Sequence, residues 1–124
     1  MEVDAFDVTL RKLTVRDDRL VDGVLGSEDD NLTASSLDSK THALVRLGAL
    51  IVLDAAPQSY ARSVEAALLA GATREEIVGT LIAAMPVVGS ARVVSAAPKL
   101  GLALGYDLDA ALEDELESAT DGSA

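Results

Sequence analysis

The chain has 124 residues, 49% of them hydrophobic and only 2% aromatic, so one core of Ala, Val, Leu and Ile is expected. Its formal net charge is −11, with ten Lys and Arg scattered among twenty-one Asp and Glu. Nucleic acid and anionic membrane surfaces are excluded as partners, because both need clustered cations. There is no cysteine, hence no disulfide framework, thiolate metal site or redox thiol.

Apolar residues recur at helical spacing along most of the chain, and no strand alternation stands out. Phe6, Leu10 and Leu13 make a first stripe; Leu20, Val21, Val24 and Leu25 make a second after a break near Asp17. Residues 26–36 are polar and acidic and read as a loop. Asp38 suits the N-cap of a helix running to about Ala55, nearly all apolar from Ala43 to Leu53 and therefore central. Pro57 fits the first turn of the next helix, whose face is Tyr60, Val64, Ala67 and Leu68 and whose stop is Gly71. Thr73-Arg74-Glu75-Glu76 is a capping box, followed by Ile77, Leu81, Ala84 and Met85 on one face. Pro86 is expected to end or kink that helix. A further apolar helix spans roughly 87–104 with a bend at Pro98. Gly105-Tyr106-Asp107 is a turn, and Leu108, Leu112 and Leu116 mark a last amphipathic helix. The longest uncharged run, residues 77–91, is fifteen residues, short of the ~18 that suggest a membrane span. The start, Met1-Glu2-Val3-Asp4, lacks the basic region of a signal peptide, so a cytoplasmic location is expected. The acidic groups Glu28-Asp29-Asp30 and Glu113-Asp114-Glu115 with Glu117 read as solvated surface. The domain expectation is a single domain over residues 1–117 with a disordered tail over 118–124.

Three pieces of this chain stand in a familiar order: Leu37-Asp38-Ser39-Lys40-Thr41, then Ala70-Gly71-Ala72-Thr73-Arg74-Glu75-Glu76-Ile77, then Pro86-Val87-Val88-Gly89. In that order and at those spacings the stretch 37–97 resembles the carboxymuconolactone decarboxylase / alkylhydroperoxidase D-like family. The resemblance implies an all-α, alkylhydroperoxidase D-like bundle of about six helices that assembles as a homo-oligomer, a trimer or hexamer. It also implies where catalytic residues would stand. Counting back from Gly71, the Cys-x-x-Cys-x-x-x-His positions of the redox members are held here by Ala56, Ser59 and Ser63. None is a thiol, and no serine replaces an imidazole as a proton shuttle near neutral pH. The glutamate that redox members carry about three turns earlier is also missing; between Lys40 and Ala56 the one acid is Asp54. The proton-transfer histidine proposed for decarboxylating members would fall near Ser63 as well.

A cysteine peroxidase is thus excluded, and the remaining candidates are few. His42 is the sole histidine and has no companion ligands in sequence, so neither a metal nor a cofactor is expected. Arg46 and Arg92 lie inside apolar helices, where an unpaired buried charge costs several kcal/mol. They are read either as ion-paired with Asp54 or Glu65, or at an oligomer interface, or as holding an anionic ligand. Tyr60, Arg62 and Ser63, beside Ser59 and Glu65, would line any pocket that persists; Tyr60 also fits the core stripe. Two functions follow. One is a family protein without thiol peroxidase activity that binds or converts a small anionic organic molecule, any turnover being non-redox and lyase-like. The alternative is a catalytically inactive oligomeric scaffold or interaction module.

Overall fold

The computed structural model of the chain describes residues 4–121. Among these residues all regular structure is α-helical. There are eight helices: α1 (Ala5–Thr14), α2 (Asp18–Gly26), α3 (Glu28–Ser35), α4 (Ser39–Leu53), α5 (Pro57–Leu69), α6 (Arg74–Val88), α7 (Ser90–Ala103) and α8 (Leu108–Asp121). The all-α class holds, with two helices more than the six expected. The chain divides after Asp38 into two compact units.

In the first unit, the break near Asp17 is a helix start. Its carboxylate accepts from the Leu20 amide at 3.0 Å, the bond of a good N-cap. Residues 26–36, read as a loop, contain α3. Ser27 Oγ accepts from the Asp30 amide at 3.0 Å, and Asn31 Nδ2 donates to the Val24 carbonyl at 3.0 Å, tying α3 back to α2. Glu28, Asp29 and Asp30 occupy the first turn of α3, where the helix dipole favours negative charge. The acidic triplet is therefore a helix start as well as exposed surface. None of α1, α2 or α3 contains a fully buried residue.

In the second unit, α4 packs on α5 and α6, and α7 closes the layer against α5 and α6, with α8 resting on α7. The core is Ala43, Leu47 and Ile51 from α4, Tyr60, Val64 and Ala67 from α5, Ile77 and Leu81 from α6, and Val93, Ala96 and Leu100 from α7, with Ala72. These recur at three- and four-residue intervals, the helical period. Each fully buried Leu, Ile or Val contributes roughly 1.5–3 kcal/mol. Ala67 and Ala96, both 0% exposed, let α5 and α7 approach closely. Leu68, expected on the buried face, is exposed.

The capping box forms as read: Glu76 N donates to Thr73 Oγ1 at 3.0 Å and Thr73 N to Glu76 Oε1 at 2.9 Å. Pro86 does not end α6, which continues to Val88 and stops at Gly89 with φ +87°. The donor missing at Pro86 would have met the carbonyl of Ile82, an exposed residue whose carbonyl water can serve. Pro98 likewise lies within α7, which begins at Ser90 rather than near 87. The last helix runs to Asp121, four residues into the expected disordered tail; residues 122–124 of that tail lie outside the described residues.

Candidate functional site

Two other helix ends of the second unit differ from the end of α4 in one residue. At Gly71, φ +93° turns the chain while Ala72 N reaches the Ala67 carbonyl at 2.9 Å and Gly71 N the Leu68 carbonyl at 3.1 Å. Gly105 repeats the pattern, with Tyr106 N donating to the Gly101 carbonyl at 2.9 Å. Both are Schellman ends, where glycine takes the left-handed conformation at no steric cost. At the end of α4 the same bonds form, Ala55 N to the Leu50 carbonyl at 3.1 Å and Asp54 N to the Ile51 carbonyl at 3.3 Å. There the left-handed residue is Asp54, φ +51°.

That conformation directs a carboxylate toward α7. Ser95 Oγ donates to Asp54 Oδ1 at 2.6 Å, and Lys99 Nζ donates to the same oxygen at 3.1 Å and to the Ala55 carbonyl at 3.0 Å. Arg92, Ser95 and Lys99 fall three and four residues apart and share one face of α7. The Ser95 hydrogen bond, then the Lys99 hydrogen bond and charge, and last the Arg92 charge hold the Asp54 carboxyl below its ordinary range, against a smaller opposing effect of burial. Asp54 is therefore a firm anion and a poor base, and its bond to Ser95 does not make that hydroxyl a nucleophile.

Tyr60 completes the group from α5. It is 0% exposed, and its hydroxyl has no hydrogen-bond partner, a state that costs about 1–3 kcal/mol. Burial first, and the Asp54 charge second, push the phenol above its ordinary range, so at neutral pH it is a donor with nothing to donate to.

The sequence-predicted residues divide. Tyr60 and Arg92 come together around Asp54, the acid proposed as a partner for the arginines; its hydrogen-bonded cation is Lys99. Neither arginine is buried: Arg92 is exposed on α7 and Arg46 on α4, so the cost of an unpaired buried charge does not arise. Arg62 is exposed on α5, where Ser59 and Ser63 are half-buried, and Ala56 is the exposed residue just before Pro57. His42 is half-buried in the first turn of α4. Ser95 and Lys99 were missed. The available signal was their i, i+4 spacing, with Arg92 one turn earlier, opposite an aspartate at a helix end. Among the described residues no group of three or more His, Cys, Asp or Glu is placed to hold a metal ion, and no helix is long and apolar enough to cross a membrane.

A family model described as the carboxymuconolactone decarboxylase family matches residues 21–100, from α2 to the end of the core on α7. The chain belongs to that family. No curated protein and no solved structure matches it.

Proposed function

We propose that this cysteine-free member of the carboxymuconolactone decarboxylase family binds a small anionic organic molecule beside the α4–α5 turn, with Tyr60, Arg92 and Lys99 as its donors. The observation that supports this most is the buried, unpartnered Tyr60 hydroxyl. A folded chain keeps such a group at a cost unless something else completes its hydrogen bond. The Asp54 charge acts on that hydroxyl, and Asp54 is bonded to Lys99 and influenced by Arg92, two cations to one anion on a chain of net charge −11. A carboxylate suits those donors, because Arg92 can bind it bidentately and a neutral phenol donates to it. Any turnover would be non-redox and lyase-like, since Ala56, Ser59 and Ser63 supply neither thiol nor imidazole.

The test is a saturation titration of aliphatic and aromatic mono- and dicarboxylates, followed by protein NMR, on wild type, Tyr60→Phe and Arg92→Met. The expected result is saturable binding of at least one acid that weakens roughly tenfold in each variant, about 1.4 kcal/mol. Failure of every acid to saturate, or equal binding by all three proteins, overturns the reading.

A second reading, an oligomeric scaffold or interaction module, is favoured by a different observation. Helix α6 is apolar on more than one side: Ile77 and Leu81 are buried, while Val78, Ile82, Met85 and Val87 are exposed, as expected of a helix covered by further protein. Self-association as a trimer or hexamer belongs to both readings. A stable oligomer that binds none of the acids favours the scaffold.

A further inference from the structure

The two cations of the proposed site are not equally available. Lys99 Nζ donates to the Asp54 carboxylate at 3.1 Å and to the Ala55 carbonyl at 3.0 Å. Its side chain is only 25% exposed, so this ion pair is seated between α7 and the end of α4. One N–H of the ammonium remains for a ligand, but its charge is already matched. Arg92, one turn before Ser95 on the same face of α7, is exposed. Among the described residues it has neither a hydrogen bond nor an ion pair, and it acts on Asp54 by charge alone.

Asp54 is fixed where it stands. The helix-end bonds of Asp54 and Ala55 hold its left-handed backbone, φ +51°, and Ser95 Oγ donates to its Oδ1 at 2.6 Å. A short hydrogen bond to an ionised oxygen is among the stronger kinds. The place therefore holds one matched ion pair and one unmatched guanidinium. A guanidinium fork takes one carboxylate bidentately. A second carboxylate on the same small molecule finds no unmatched cation and meets the Asp54 anion, and a like charge set against a ligand is a means of rejecting it.

We propose that Asp54 sets the specificity of the site: by matching Lys99 it leaves Arg92 as the one unmatched cation, so the ligand is a small monocarboxylate and the corresponding dicarboxylate is rejected. The inference rests on the ligand reading above and narrows it to one class of acid. Asp54 acts through Lys99 and through its own charge, which makes it a positioning residue.

Matched acids on one carbon skeleton test it: butyrate against succinate, and benzoate against isophthalate. Each is titrated near neutral pH, followed by protein NMR, into wild type, Asp54→Asn, Lys99→Met and the double variant. Asparagine keeps the shape, tolerates the left-handed backbone and still accepts from Ser95; circular dichroism checks that the helices are retained. Wild type should favour the monocarboxylate of a pair. Asp54→Asn, with Lys99 released, should move the preference toward the dicarboxylate at least roughly tenfold. Lys99→Met, with Asp54 left unopposed, should move it the other way. The double variant leaves Arg92 alone again and should return the wild-type preference, a rescue that a merely structural role for Asp54 does not produce. A wild type that prefers dicarboxylates, a preference unchanged in Asp54→Asn, or a Lys99→Met shift toward dicarboxylates overturns this inference and leaves the ligand reading standing. Acids that bind only once Asp54 is neutralised also overturn it, because the carboxylate would then exclude every acid alike. Failure of every acid to saturate any of the four proteins overturns both readings.

Discussion

At the scale of the residue, Asp54 carries the most consequence. Two other helix ends of the second unit use glycine for the left-handed turn, and α4 uses an aspartate whose carboxylate then clamps Ser95 and Lys99. An aspartate tolerates that conformation better than most residues but less well than glycine. Replacing Asp54 with glycine should therefore ease the backbone while releasing the clamp. Because the folded carboxyl lies below its ordinary range, the clamp's stabilisation is present above the unfolded carboxylate value and is lost as pH falls through the folded one. The thermal midpoint of wild type relative to that of Asp54→Gly should fall as pH drops from neutral to about 2. A difference constant across that range would mean the clamp contributes nothing electrostatic. Tyr60 offers the complementary case. In the absence of ligand, Tyr60→Phe removes an unsatisfied polar group and should leave stability unchanged or raise it by about 1 kcal/mol in denaturant unfolding. A loss of several kcal/mol would show that the hydroxyl has a partner inside the fold.

Helix starts and stops show where local chemistry was sufficient. The capping box at Thr73, proline at the first position of α5 and the glycine stop at Gly71 are all readable from short strings, because each acts within four residues. Thr73→Ala should cost about 1 kcal/mol of stability in the second unit, measured by denaturant unfolding. Helix α3 was missed for a physical reason: it has eight residues and little apolar periodicity, so only its cap announces it. Ser27 with Asp30 three residues on is that cap. Ser27→Ala should raise amide hydrogen exchange across Glu28–Ser35 while leaving the amides of α4 and α7 protected, since those belong to the other compact unit. Pro86 misled in the opposite direction. A proline near a helix end removes one bond at an exposed carbonyl, and the packing of α6 against α4 and α7 outweighs that loss.

At the scale of the molecule, what matters is how apolar surface and charge are distributed among elements. A core nearly without aromatics packs by small side chains, and more apolar side chains exist than the second unit can enclose. Those left outside lie on every helix of that unit, among them Val45 and Val52 on α4, Leu69 on α5, Ile82 and Val87 on α6, Val94 and Leu102 on α7 and Leu116 on α8, and the acidity sits at the two flanks of the sequence, with a slight excess of base between them.

By itself the sequence determined the all-helical class, the four core helices with the capping box at Thr73 and the stop at Gly71, the family, and the loss of thiol chemistry, because periodicity, capping and residue identity are local properties. The tertiary structure alone decided the site. It set Asp54 against Ser95 and Lys99, some forty residues away, left the Tyr60 hydroxyl without a partner, and put Arg46 and Arg92 on exposed rather than buried faces. Those outcomes depend on which side of one helix meets another, and an almost uniformly apolar helix such as α4 does not announce its inward side.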